Sequence, residues 1–127
     1  MMEKNSRNIS IKVETFYVKA QSNPHEARYV FAYTITITNC SQQNCQLLDR
    51  HWVITNAAGE VEEVRGEGVV GKQPILKPNE KFEYTSGAVI ETPVGTMQGE
   101  YGFVDAQGVR FEVEIPVFSL SVPNVVH

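Results

Sequence analysis

The sequence predicts a single all-β domain in which about seven or eight antiparallel strands form two sheets packed face to face. Apolar and polar residues alternate along most of the chain, and apolar spacing with a helical period is nearly absent. Turn residues interrupt this alternation at intervals of roughly 8–12 residues, as in other sandwiches. A chain of 127 residues fits one domain, so we assign residues 1–127 to one unit.

The first two predicted strands show the alternation most clearly. The apolar face of the first strand consists of Ile9, Ile11, Val13, Thr15 and Tyr17. The second strand runs from Arg28 to Asn39, and threonines occupy its polar face. Its buried face is predicted to consist of Tyr29, Phe31, Tyr33, Ile35 and Ile37. β-Branched and aromatic residues of this kind are typical of a half-buried pleated surface.

The third predicted strand, Cys45 to Thr55, places Leu48, Trp52 and Ile54 on one face, with Arg50 in the same phase. Immunoglobulin-type folds bury a tryptophan on their third strand, so Trp52 predicts a sandwich of the immunoglobulin or fibronectin type III kind. A tryptophan buried there contributes several kcal/mol to stability, on the order of 3–5.

A charged strand, Glu60 to Arg65, is predicted at a sheet edge, where charge discourages pairing with another chain. The segment Gly66 to Glu80 contains glycine and proline without clean alternation, and it is predicted to be an irregular loop. Loops on a rigid scaffold often carry function, so this segment is the predicted contact region.

Three further strands complete the prediction. The first is Lys81 to Val89, and the second has Met97, Gly99, Tyr101 and Phe103 in phase. After a turn at residues 105–108, the last strand buries Val109, Phe111, Val113, Ile115 and Val117. Tyr101 precedes a core position by two residues, as in a tyrosine corner, where the hydroxyl bonds to backbone.

The charge and composition of the chain argue against a nucleic-acid-binding protein and against a membrane-spanning one. The formal net charge is -4 and the 11 Lys and Arg residues are scattered, which argues against a nucleic-acid partner. No apolar run approaches the ~20 residues of a membrane span, and the N-terminus lacks the pattern of a secretory signal. Two cysteines in such a chain predict free thiols and a cytoplasmic location.

Residues 66–71 match the glycine pattern G-x-G-x-x-G of dinucleotide-binding sites. That mechanism needs a helix after the last glycine, and Pro74 and Pro78 exclude one. A weaker possibility is an anion nest of backbone N–H groups, in which Arg65 and Lys72 hold a phosphate. The phosphate loop would then consist of Arg65, Gly66, Gly68, Gly71 and Lys72, and the alternative is a tight turn without a ligand.

No catalytic or metal-binding pattern is predicted. Cys40, Cys45, His51 and either His25 or His127 lack the spacing of a zinc site, so we expect no metal and no other cofactor. Asp49 and His51 share a strand face, but a catalytic triad needs a third positioned group, and a surface polar pair is the simpler interpretation. The chain is therefore predicted not to be an enzyme.

The sequence contains several distinctive short segments, which are Arg50-His51-Trp52, residues 64–71, Gln73-Pro74, residues 76–82, Tyr84-Thr85-Ser86-Gly87 and the stretch from Met97 to Phe103. In this order they resemble the bacterial ApaG family, and the resemblance extends from about Ile11 to Val117. The resemblance implies an immunoglobulin- or fibronectin-III-like sandwich and a link to cobalt tolerance and magnesium efflux. Related eukaryotic domains imply protein recognition, and the glycine motif implies pyrophosphate binding at Gly66, Gly68 and Gly71.

Together these observations predict a non-enzymatic cytoplasmic module, monomeric or homodimeric, that binds an unidentified protein partner through the Gly66–Glu80 segment. The alternative is a small-ligand module that binds a nucleotide or pyrophosphate at residues 66–72. In that case Gly68→Val is expected to abolish binding without unfolding the domain. A third hypothesis is a regulator of divalent-cation homeostasis.

Overall fold

The computed structural model describes residues 3–4 and 8–123, and nine strands lie within them. Their bounds are β1 Glu3–Lys4, β2 Ile9–Tyr17, β3 Tyr29–Asn39, β4 Cys45–Asn56, β5 Val61–Glu67, β6 Ile75–Leu76, β7 Lys81–Ile90, β8 Val94–Asp105 and β9 Arg110–Ser121. Two short 3-10 turns, Lys19–Gln21 and Pro24–Glu26, lie between β2 and β3. The seven long strands match the predicted number, whereas the two-residue strands β1 and β6 were not predicted.

The strands form two sheets that pack as a sandwich, as predicted. The larger sheet has the order β1-β9-β8-β4-β5, with β6 pairing with β4, and the smaller sheet has the order β2-β3-β7. All pairs are antiparallel except β1 with β9. Strand β5 lies at an edge of the larger sheet, where its charged residues were expected. Strand β7 is an edge strand of the smaller sheet. The Gly66–Glu80 segment therefore leads from the edge strand β5 of the larger sheet to the edge strand β7 of the smaller one.

The core lies between the sheets and contains most of the residues that the alternation placed there, but Tyr29 is only half-buried and Val109 is 42% exposed. Phe31, Tyr33, Ile35 and Ile37 of β3 are buried, and so are Trp52 of β4 and Tyr101 and Phe103 of β8. The Trp52 ring meets those of Tyr33, Phe118 and Tyr101 edge-on, with centroids 5.4, 5.9 and 6.3 Å apart. Trp52 therefore contacts aromatic rings from both sheets.

Two β-bulges change which residues of β4 and β9 face the core, compared with the prediction. Leu48 is an extra residue in β4, because Leu47 pairs with Phe103 while Asp49 pairs with Gly102. The buried leucine is therefore Leu47, and the prediction for Leu48 was wrong. A second irregularity in β9, next to Pro116, leaves Val117 61% exposed instead of buried. A bulge shifts the alternation by one residue, and a proline that donates no hydrogen bond favours one.

The Gly66–Glu80 segment is more regular than predicted. Gly66 and Glu67 belong to β5, and Ile75 and Leu76 form β6 against Cys45 and Gln46 of β4. Residues 68–74 and 77–80 are the irregular parts. The alternation fails here because β6 is only two residues long, which is too short for a period of two to be visible.

Tyr101 does not form the predicted tyrosine corner. Its hydroxyl shares a hydrogen bond with the hydroxyl of Tyr84, which comes from β7 of the opposite sheet. Burial raises the pKa of both tyrosines, so each stays neutral at physiological pH. The hydrogen bond thus connects the two layers within the core.

A double-mutant cycle measures that connection. We expect Tyr101→Phe and Tyr84→Phe each to lower the free energy of unfolding by about 1–2 kcal/mol, because each leaves the remaining hydroxyl without its partner. The double variant is expected to lose less than the sum, since no buried hydroxyl then remains unpaired. Urea denaturation of the four proteins measures the coupling, and strictly additive losses would contradict the pairing.

Candidate binding site

The glycine-rich loop is a tight turn, and no helix follows it. The N–H of Val69 donates to the carbonyl of Lys72 at 2.8 Å, and the N–H of Lys72 donates back at 2.9 Å. The two residues between them, Val70 and Gly71, have φ of +44° and +77°. Positive φ at both central positions is the geometry of a type I′ turn. The exclusion of a dinucleotide-binding helix is therefore confirmed.

This turn is fixed to the bulge of β4. The carbonyl of Leu48, the extra residue, accepts the N–H of Gly68 at 2.8 Å and the side-chain amide of Gln73 at 2.8 Å. The side-chain amide of Gln46 donates in turn to the carbonyl of Gln73 at 3.1 Å. The loop is therefore held in one position on the larger sheet.

Arg50 is the functional candidate that sequence reasoning missed. Its Nη1 atom donates to the backbone carbonyls of Glu67 and Gly68, at 3.1 and 2.9 Å. Arg50 lies two residues before Trp52, so the sequence already placed both side chains on the inner face of the sheet. A charged side chain is buried only together with hydrogen-bonding or charged partners. An arginine on a predicted core face was therefore the signal that could have identified this residue.

The three glycines of the motif serve three different geometric needs. A Cβ at Gly66 would lie 2.7 Å from Nη1 of Arg50, so this glycine leaves room for the guanidinium. Gly68 has φ of +63°, and a Cβ there would press against the backbone carbonyl oxygen of Lys72. Gly71 has φ of +77° and open space around it. None of these needs involves a bound phosphate.

A recess of about 260 Å³ opens between the loop and the smaller sheet. Its wall includes Arg50, Glu67, Val70, Tyr33, Tyr84 and Ser86. Ser86 pairs with Tyr33 across strands β3 and β7, and burial raises the pKa of Tyr33. The recess therefore combines one guanidinium, several neutral hydroxyl groups and an apolar side.

The structure brings together only part of the predicted phosphate loop. Gly71 lines the recess, Gly66 and Gly68 lie beside the Arg50 guanidinium, and Lys72 closes the turn. Arg65 lies on the opposite, outer face of β5, where its side chain is 72% exposed and 4.0 Å from the Glu63 carboxylate. Adjacent residues of a strand point to opposite faces, so the Arg65 side chain points away from the recess and does not line it.

His51 lies on the outer face of the larger sheet between two carboxylates. Its Nδ1 atom is 2.7 Å from Glu100 of β8, and its Nε2 atom is 2.7 Å from Glu63 of β5. These two hydrogen bonds raise the pKa of His51. Asp49 pairs instead with Arg110 at 2.5 Å. The possible Asp49–His51 pair is thus not formed, and His51 links three strands.

The His51 contacts predict a pH-dependent contribution to stability. Because the pKa of His51 is raised on folding, protonated His51 stabilises the fold fully below its unfolded value of about 6.5, and this contribution is lost as pH rises through the folded value. We expect His51→Gln to destabilise the protein more at pH 6 than at pH 9 in urea denaturation.

His25, an exposed histidine, provides the matched control for that experiment. The difference between wild type and His25→Gln is expected to stay constant between the two pH values. An equal loss for His51→Gln at pH 6 and pH 9 would show that the two carboxylates do not hold a charged imidazole.

The remaining candidate residues form no metal site in the described part of the chain. Cys40 is exposed, Cys45 is buried, and both are free thiols. No three His, Cys, Asp or Glu side chains within residues 3–4 and 8–123 are grouped to hold a metal ion. His127, named above for a zinc set, lies outside the described residues. No helix in the described residues has the length and hydropathy to span a bilayer.

Comparisons with known proteins agree with the sequence resemblance. The model of the ApaG domain matches residues 19–105. Proteins named ApaG from Pectobacterium carotovorum and Escherichia coli are 54% identical over 123 residues, which cover 97% of this chain and 98% of theirs. A crystal structure of a Bordetella pertussis protein designated ApaA is 46% identical. It superposes with a TM-score of 0.91, covering 98% of this chain and 100% of that one.

Proposed function

The chain belongs to the ApaG domain family, and we propose that it is a non-enzymatic cytoplasmic module that binds a protein partner through the Gly66–Glu80 segment. The observation that carries this proposal is Val70, at the tip of the type I′ turn. It has φ of +44°, and 53% of its surface is exposed.

A valine at this position is unfavourable for the isolated chain. A left-handed conformation costs a residue other than glycine roughly 1–2 kcal/mol, and a β-branched residue is a clear outlier there. The exposed side chain of Val70 gains little burial that would offset this cost. Strained residues cluster at contact sites, and an apolar side chain held at a loop tip suits a partner surface.

The attachment of the loop supports the same function. Gly68 and Gln73 hold the segment on the Leu48 carbonyl, so it is ordered before a partner arrives. A preordered loop loses less conformational entropy on binding. Ile75 of β6 is 58% exposed and adds apolar surface to the same segment.

The side chains near the recess favour binding over catalysis. The hydroxyl of Tyr84 is hydrogen-bonded to that of Tyr101, and neither Tyr84 nor Ser86 has a general base as a hydrogen-bond partner among the described residues. His51 is engaged by two carboxylates on the outer face of the sheet. A cytoplasmic location is consistent with two cysteines that remain as thiols.

Affinity capture with three matched proteins tests the proposal. Wild type, Val70→Asn and Val89→Asn are immobilised and exposed to lysate of the cells that produce the protein. Asparagine tolerates positive φ, so Val70→Asn removes the apolar contact without disturbing the turn. Val89, 48% exposed on the smaller sheet, is the control. We expect wild type and Val89→Asn to retain a partner protein that Val70→Asn retains at least tenfold less. Identical retention by all three proteins would refute the contact at Val70.

A second candidate function is binding of a nucleotide or pyrophosphate at residues 66–72. The favouring observation is that the N–H groups of Val70 and Gly71 have no backbone acceptor among the described residues, and Lys72 is adjacent. Calorimetry with pyrophosphate and ATP tests it. Lys72→Gln should weaken binding at least tenfold while Arg65→Gln, on the other face, should not, and absence of heat would eliminate this function.

The resemblance implies a link to cobalt tolerance and magnesium efflux. This link stays a prediction, and it concerns the pathway in which the module acts. Equilibrium dialysis with magnesium and cobalt tests direct binding of these cations. Retention of either cation by the purified protein would favour a direct role over one through a partner.

A further inference from the structure

We propose that the recess around Arg50 is a binding site for a carboxylate group. This inference goes beyond protein recognition, because it assigns a chemical group to the recess that lies beside the Val70 contact. It rests on the unused donors of Arg50, the hydroxyls beside it and the number of charges in the recess.

Arg50 has donors without acceptors. Both of its hydrogen bonds to protein come from Nη1, whereas Nε and Nη2 contact no acceptor in the described residues. No carboxylate in that part of the chain lies within 4.0 Å of the guanidinium, although Arg65 and Arg110 each have one. No buried side-chain nitrogen or oxygen there lacks a partner, so the free donors of Arg50 are open to solvent.

These donors suit a carboxylate. A guanidinium presents its N–H groups as a planar fork that matches two carboxylate oxygens. The backbone carbonyls of Glu67 and Gly68 and the missing Cβ of Gly66 hold the fork in place before a ligand binds. Hydroxyls of Ser86 and Tyr84 line the same recess and can donate to an anion.

The charge in the recess favours a carboxylate over a phosphate. Arg50 is the one cationic side chain among the residues that line it, and Glu67 adds a negative charge nearby. A phosphate group carries about -1.5 to -2 charges at pH 7 and would be left uncompensated there. A carboxylate carries one charge, so it leaves a smaller excess of negative charge beside Arg50 and Glu67, and Val69 and Val70 offer apolar contact to the carbon chain behind it.

The carboxylate can come from a free organic acid or from the C-terminus of a polypeptide, since both present the same group. An NMR titration distinguishes them. Uniformly ¹⁵N-labelled protein is titrated at constant ionic strength with acetate, with the peptide acetyl-Ala-Ala-Val, with the C-terminal amide of that peptide, and with pyrophosphate. The side-chain Nε–H of Arg50 and the amides of Gly68 and Gly71 report on the recess.

We expect saturable shifts of these resonances with acetate, the peptide acid or both, and at least tenfold weaker binding of the peptide amide. Preference for the peptide acid identifies a chain terminus, whereas equal affinity identifies a free acid. Arg50→Gln is expected to weaken binding at least tenfold, and the matched Arg65→Gln to change it less than twofold. Gly66→Ala, which displaces the guanidinium, should weaken binding also.

Three results would overturn the assignment. They are the absence of a saturable shift in wild type with both carboxylates, saturable binding of the peptide amide that is as tight as binding of the peptide acid, and tighter binding of pyrophosphate than of either carboxylate. The wild-type resonances decide the first of these even where Arg50→Gln does not fold. Because small probes are used, the outcome is independent of the affinity capture with Val70→Asn.

Discussion

The substitution Trp52→Ala is expected to lower the free energy of unfolding by about 3–5 kcal/mol. Trp52 is 3% exposed, and its indole meets Tyr33 of the smaller sheet as well as Tyr101 and Phe118 of the larger one. Removing the ring leaves a cavity between two hydrogen-bonded sheets. Such sheets relax only partly, so the loss of burial and the cavity both contribute.

Urea denaturation followed by far-UV circular dichroism measures this effect, because the chain contains one tryptophan and loses its fluorescence signal in the variant. Val61→Ala is the control, since Val61 is 61% exposed on the edge strand β5. The control is expected to stay within about 0.5 kcal/mol of wild type. A Trp52→Ala variant as stable as that control would contradict the placement of Trp52 at the centre of the core.

The second large effect is expected at Gly68. Gly68→Ala should lower the free energy of unfolding by about 2–5 kcal/mol, from roughly 1–2 for a left-handed residue and a further 1–3 for the steric conflict. The conflict involves the carbonyl oxygen of Lys72, which accepts the N–H of Val69 and cannot move without breaking the turn. Gly68→Val is therefore unsuitable as a test of ligand binding alone.

Gly71→Ala separates the two causes. Gly71 has φ of +77° but no atom near the position of a Cβ, so its substitution involves the conformational term without the steric one. We expect a loss of about 1–2 kcal/mol there, smaller than at Gly68. Urea denaturation of both variants measures the difference. Equal losses would mean that the close approach of Lys72 is not what requires glycine at position 68.

Most of the fold was predictable from side-chain alternation. The buried face was identified correctly from Phe31 to Ile37 in β3 and from Met97 to Phe103 in β8, because every second residue in these stretches is buried. The prediction failed at Leu48 and Val117, where a bulge inserts one residue. The alternation along one strand does not reveal a bulge, because a bulge depends on how that strand pairs with its neighbour.

The candidate site was only partly predictable for a related reason. The motif at residues 66–71 drew attention to the loop, and the two prolines after it correctly excluded a helix. Nothing in the spacing showed that Gly66 is opposite Arg50 or that Arg65 points away from both. These relations follow from the register of β4 with β5, in which Arg50 pairs with Gly66 and His51 with Arg65.

The sequence by itself determined the layered all-β architecture, the aromatic core around Trp52 and the turn at the glycine motif. Each of these follows from local preferences: alternation fixes which side of a strand is buried, and positive φ selects glycine. Only the tertiary structure decided that Tyr84 and Tyr101 connect the sheets, that His51 lies between Glu63 and Glu100, and that Arg50 borders an open recess. These contacts join residues 12 to 49 positions apart, and pairing between strands, not the local chain, brings them within hydrogen-bonding distance.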